Sequence, residues 1–157
     1  MYYLNYVQKV PLSLEESWDF FSSPANLKIL TPEYLSFEMT NAHENRKMYA
    51  GQIITHCIRP IWNFPLEWVT EITHVQEPYY FIDEQRFGPY KFWHHEHWFK
   101  PISKGVEMTD RVYYKLPFGF FGQALHALKI KHDLEAIFSY RHAKLEQLFG
   151  SYTEENR

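Results

Sequence analysis

The densest chemistry in the chain lies in one heptapeptide, Trp93-His94-His95-Glu96-His97-Trp98-Phe99. Three imidazoles and a carboxylate in consecutive positions supply proton donors, proton acceptors and metal-ligating atoms near neutral pH. In a strand, alternate side chains share a face. Trp93, His95, His97 and Phe99 then form one row, and Phe92, His94, Glu96 and Trp98 the other. The same alternation groups Met108, Asp110, Val112 and Tyr114 on the following segment, and Phe81, Asp83, Gln85 and Phe87 on the preceding one. As consecutive antiparallel neighbours, these segments would bring Asp83, Gln85, His95, His97 and Asp110 together in an aromatic-walled pocket.

Such a cluster has three uses. It can be a buried hydrogen-bond ladder, because a buried carboxylate needs donors and an imidazole N–H supplies one. It can grip the polar end of an otherwise apolar ligand. Or a His–Asp pair can do general acid–base work, with His95, His97 and Asp110 as the catalytic candidates. His95-x-His97 is also a metal pair in principle, since positions i and i+2 of a strand can reach one ion. Zinc would need a third ligand, such as His56 or Asp110. Two histidines at this spacing are common without metal, so neither a metal nor a cofactor is expected. Cys57 stands beside no obvious base and reads as a packing residue. Arg141 interrupts an apolar helical stripe, which suggests pairing with a sheet carboxylate first and with an anionic ligand second. No GxGxxG, P-loop, GxSxG or HExxH pattern occurs.

The elements that would position these residues follow from periodicity. Tyr2 to Val10 alternates as a strand. Ser13 with Glu16 forms a capping-box pattern ahead of a short helix, Leu14 to Ser22, and a second short helix runs from Ala25 to Leu30. Strands are expected over Leu35–Asn41, Met48–Arg59, Leu66–His74 (with Trp68, Thr70, Ile72 and His74 on one face), Tyr79–Phe87, Tyr90–Lys100 and Val106–Leu116. From Phe120 to Phe149 a single long helix is expected, with the stripe Ala127, Ile130, Leu134, Ile137, Phe138, Leu145 and Leu148. Runs of strands followed by a helix make an α+β domain, and hairpin-length turns make its sheet antiparallel. Residues 1–150 read as one domain and 151–157 as a frayed polar tail.

The whole composition fits that picture. A chain of 157 residues has room for one core. Sixteen Lys and Arg against 19 Asp and Glu give a net charge of −3, which argues against a nucleic-acid binder. One cysteine cannot form an internal bridge, which suits a cytoplasmic setting. No apolar run approaches a bilayer span, and the opening MYYLNYVQKV has no signal-peptide pattern. Aromatics make up 19% of the residues, enough ring volume to wall a pocket that is apolar but not dry.

The element order resembles the START-like helix-grip (SRPBCC) superfamily, and in particular a branch of small bacterial ligand-binding-type proteins. The residues that carry the resemblance are Pro24-Ala25-Asn26-Leu27 with Thr31-Pro32, Phe81-Ile82-Asp83-Glu84-Gln85 running to Gly88-Pro89-Tyr90, and Trp93-x-His95-x-His97-x-Phe99. Thr109-Asp110-x-Val112-x-Tyr114-x-Leu116-Pro117-Phe118-Gly119 and Ile137-Phe138-x-x-Arg141 complete the set. The resemblance implies a curved antiparallel sheet of six to seven strands around a long C-terminal helix, with a cavity between them. The resemblance does not name the ligand; together with the aromatic composition and strand parity it leads to the expectation of a small, largely apolar ligand and no cofactor, with Trp68, Asp83, Gln85, Trp93, His95, His97, Phe99, Asp110, Val112 and Tyr114 as the lining residues. The alternatives are an enzyme of the cyclase or dehydratase kind and an interaction module with a closed cavity; a homodimer is compatible with each.

Overall fold

The computed structural model describes residues 1–40, 47–59, 64–117, 119–125 and 129–154. Seven antiparallel strands form one curved sheet in the order β1-β7-β6-β5-β4-β3-β2. They are β1 (Tyr2–Val10), β2 (Glu38–Met39), β3 (Gln52–Ile58), β4 (Leu66–Gln76), β5 (Tyr80–Phe87), β6 (Phe92–Ile102) and β7 (Gly105–Lys115). The helices are α1 (Leu14–Phe21), α2 (Leu27–Leu30), α3 (Gly119–Leu125) and α4 (Lys131–Phe149). The first strand pairs with the last, Tyr2 opposite Tyr114 through Val10 opposite Val106. Among the described residues, no helix is long and apolar enough to cross a membrane.

Local signals set the boundaries. Ser13 Oγ accepts from the Glu16 N–H at 3.1 Å, and the Glu16 carboxylate accepts from the Ser13 N–H at 2.9 Å, so the capping box starts α1. Pro24 opens a 3-10 turn that runs into α2. The strand expected over Leu35–Asn41 is only the Glu38–Met39 pair, because Glu33–Leu35 forms a 3-10 turn and Ser36 takes a left-handed conformation. The C-terminal helical segment is described as α3 and α4, with Ala127 of the expected stripe outside the described residues.

Two apolar clusters fill the space between sheet and helices. One gathers Trp18, Phe21, Ile54, Phe81, Phe99, Met108 and Leu145; the other gathers Trp93, Val112, Tyr114, Leu134 and Phe138. The alternation on β6 shows what lies between them. Trp93 belongs to the second cluster and Phe99 to the first, so His95 and His97 mark the boundary. On β7, Asp110 stands between Met108 and Val112 in the same way. Helix α4 closes the layer through Leu134, Phe138 and Leu145, all buried. Leu148 is exposed, contrary to the expected stripe, and its neighbour Phe149 packs on the first cluster instead.

The period-two reading fails at one point of β4. A register shift between Ile72 and His74 turns His74 outward and lets Val75 pack on the first cluster. Two contacts reach the described part of the tail. The Tyr152 hydroxyl donates to the Ser103 carbonyl at 2.7 Å, and Lys9 pairs with Glu154.

Candidate functional site

The sheet register assembles the polar cluster. Asp83 of β5 sits opposite His95 of β6, and His97 sits opposite Asp110 of β7. The short contacts run diagonally. His97 Nε2 lies 2.7 Å from Asp83 Oδ2, and His95 Nε2 lies 3.0 Å from Asp110 Oδ1. From the helix side, Arg141 Nη1 donates to the same Asp110 oxygen at 3.0 Å. His97 Nδ1 also lies 3.0 Å from Asp110 Oδ1, but its N–H is not aimed there, so this contact is electrostatic rather than a hydrogen bond. The two imidazole rings stack with centroids 3.7 Å apart, and Phe81 stacks on His97 at 4.1 Å. His95, His97 and Asp110 are all buried.

Electrostatics in the cluster is a contest between burial and pairing. Burial opposes the charge on Asp110, but Arg141 and the two imidazoles outweigh it and hold the carboxyl well below its usual range. Asp83 follows the same logic: burial is outweighed by His95, His97 and the Trp93 side chain, and the carboxyl stays ionised. Burial and the neighbouring His97 charge push His95 down, whereas the two carboxylates overcome burial at His97 and raise it. Two carboxylates thus face one guanidinium and two imidazoles, of which His97 holds a proton more readily than His95.

The cluster forms one wall of a cavity of about 750 Å³. The remaining lining is mostly apolar and includes Ile54, Leu66, Trp68, Trp93, Ile137 and Phe138. Trp93 meets Trp68 edge-on at 5.2 Å and Tyr90 at 4.8 Å, which builds an aromatic corner beside the histidines. Of the residues expected to line the cavity, Trp68, Asp83, Trp93, His95 and His97 do so.

Five others are placed elsewhere. Asp110 stands behind the imidazoles, one layer removed from the cavity, and reaches a smaller recess of about 220 Å³ between β1 and α4. Phe99 packs in the first cluster against Trp18 and Phe21. Val112 and Tyr114 are wholly buried in the second. Gln85 spans its own turn: its amide donates to the Tyr90 carbonyl at 2.7 Å, and its oxygen accepts from the Tyr90 N–H at 3.1 Å.

Arg141 and His56, absent from the expected lining, belong to it. Arg141 reaches it from α4, and its place in an apolar stripe was the available signal. His56 lines the far side, its ring set between Phe37 at 4.9 Å and Trp68 at 5.7 Å. Its Nδ1 is buried without a partner, and burial pushes its pKa down to about 4. It shares a face of β3 with Ile54 and Ile58, which also line the cavity. For a metal ion, Asp83, His95 and His97 each offer one atom, and these atoms lie within 4.8 Å of one another.

No family model matches the sequence, and no curated protein matches it. Solved structures do. A protein from Chromobacterium violaceum superposes with a TM-score of 0.72 at 11% identity, covering 96% of this chain and 98% of that one. Ginseng major latex-like protein 151 from Panax ginseng gives a TM-score of 0.66 at 10% identity, covering 94% and 97%. A nucleoside-diphosphate sugar epimerase from Corynebacterium glutamicum gives 0.65 at 22% identity, with 92% of this chain matching 28% of that one. At these identities the likeness is one of fold.

Proposed function

We propose that the chain is a START-like helix-grip protein that binds a small, largely apolar molecule between its sheet and α4. The cavity carries this reading. Its volume of about 750 Å³ falls within the range of roughly 300–1,000 Å³ typical of small-molecule sites. It is well above the size at which a closed interaction module would be favoured. Asp83, His95, His97 and Arg141 place one polar wall beside a mostly apolar lining, and His56 stands among rings. A ligand with an apolar body and a polar end fits that distribution, because polar groups in such sites fix orientation while apolar area supplies affinity.

Titration with Nile red, a neutral environment-sensitive dye, tests the reading. Dye emission should rise and shift to the blue with saturable binding, while Trp68 and Trp93 emission responds. Trp93→Ala, which opens the aromatic corner, should change the affinity. Absence of saturable binding, or binding indifferent to Trp93→Ala and to filling the cavity by Ile54→Phe, would overturn it.

A second reading is favoured by one observation. His95 and His97 both line the cavity and both contact buried carboxylates, which is the arrangement general acid–base catalysis needs. A dehydratase, or a cyclase whose ring closure ends in dehydration, would release a molecule lighter than its substrate by one water. A carrier returns its ligand at unchanged mass, and native mass spectrometry separates the two.

A further inference from the structure

We propose that Asp83, His95 and His97 form a binding site for one divalent transition-metal cation on the wall of the cavity. The proposal rests on which nitrogen of each ring faces which way. His95 Nε2 and His97 Nδ1 both lie 3.0 Å from a single oxygen, Oδ1 of Asp110. That oxygen is tied to Arg141, and Asp110 does not line the cavity. The opposite nitrogens, His95 Nδ1 and His97 Nε2, turn toward Asp83 Oδ2 at 3.5 and 2.7 Å. Asp83, His95 and His97 all line the cavity.

This is a two-layer arrangement. A buried carboxylate behind a pair of imidazoles sets ring orientation and tautomer, so that the near nitrogens present lone pairs to an ion. The dimensions agree. Ligand atoms held about 2.0–2.2 Å from one zinc-sized ion sit roughly 3–3.5 Å apart, and the two edges at Asp83 bracket that spacing. Metal entry displaces the proton between His97 Nε2 and Asp83, and two carboxylates with one guanidinium then leave one negative charge to offset the cation. Two imidazoles and a carboxylate suit zinc or a neighbouring first-row metal rather than magnesium or calcium. Coordination positions on the cavity side stay open to water or to a polar atom of a bound molecule.

His97 is only 7% exposed, and its Nδ1 lies 3.0 Å from Asp110 Oδ1 with its N–H off that line. An ion taking the place of the proton between His97 Nε2 and Asp83 leaves the ring's proton for Nδ1, next to Asp110. The sequence pointed to His56 or Asp110 as third ligand; the register supplies Asp83 instead. The site does not depend on the apolar ligand, and the dye titration above remains informative whatever the metal result.

The test uses the full chain stripped with a chelator and titrated with Zn²⁺ by calorimetry and with Co²⁺ by visible absorption. One ion should bind per chain, Co²⁺ should develop ligand-field bands, and Zn²⁺ should raise the melting temperature. His95→Gln and Asp83→Asn should abolish the bands, and Asp110→Asn should weaken Zn²⁺ binding by about 10- to 100-fold through the ring orientation it controls. His94→Gln should change nothing, since His94 lies on the opposite face with Glu84 and Glu96. Near-UV circular dichroism identifies variants that fold; if Asp83→Asn does not, the wild-type titration and His95→Gln decide. Absence of saturable one-to-one binding by the wild type would overturn the proposal. Binding that survives loss of both His95 and His97, or that disappears with His94→Gln, would do the same.

Discussion

Arg141 on α4 and Asp110 on β7 meet at 3.0 Å, and both side chains are almost wholly shielded from water. This ion pair joins the helix to the sheet at the boundary between the two apolar clusters. Breaking a buried pair from one side leaves the other charge without its partner, which typically costs about 3–5 kcal/mol. Arg141→Met should therefore destabilise the chain by about 3 kcal/mol in urea denaturation, and Asp110→Asn should relieve part of that loss in the double variant. Additive effects of the two substitutions would show that the pair is not the link described.

The helix offers a contrast between neighbouring turns. Leu134 and Leu145 are 4% and 1% exposed, so truncation to alanine leaves cavities and should cost about 2–5 kcal/mol each. Ile137 is half-buried and borders space that is already open, so Ile137→Ala should cost less than about 1.5 kcal/mol while altering dye affinity. Equal losses at Leu145, which does not line the cavity, and Ile137 would mean that the cavity is not where α4 and the sheet place it.

Strand alternation made much of the site legible in advance. On β6, Trp93 and Phe99 demanded an inner face, and parity carried His95 and His97 in with them; on β7, Met108 and Val112 did the same for Asp110. Parity says which face a residue occupies but not how many layers separate it from a cavity. Asp110, Val112 and Tyr114 lie inward without lining the open space, and no periodicity distinguishes a wall from what stands behind it. Register shifts were equally silent. The bulge that turns His74 outward depends on how β4 pairs with β5, which alternation within one strand does not report. Arg141 announced itself as an anomaly in an apolar stripe, but its partner emerged only when helix and sheet were brought together.

Gln85 shows how an inward polar residue can serve the cavity without touching it. Its amide makes two hydrogen bonds to the Tyr90 backbone, and Tyr90 lines the cavity beside Trp68 and Trp93. Gln85→Ala removes both bonds and should cost about 1–3 kcal/mol. Freed of that clamp, Tyr90 should hold the aromatic corner less firmly, so Nile red affinity measured on the folded fraction should fall as well. A stability loss with unchanged affinity would confine Gln85 to the turn.

His56 provides the pH dependence that is easiest to isolate. Burial between Phe37 and Trp68 depresses its pKa from 6.5 to about 4, and the charge of Asp83 offsets only part of that. Between those values the unfolded chain binds a proton that the folded chain does not, so stability rises with pH across the interval. The contribution is fully present above pH 6.5, declines as the pH falls, and is exhausted near pH 4, with a ceiling of about 3 kcal/mol. His56→Phe keeps the ring and removes the proton site. Urea midpoints measured at pH 7 and pH 4.5 should therefore differ less in this variant than in the wild type, while the acid sensitivity due to Asp83 and Asp110 remains common to both. Equal pH dependence in the two proteins would show that His56 already binds its proton freely in the folded state, and that the far wall of the cavity is wetter than its aromatic lining implies.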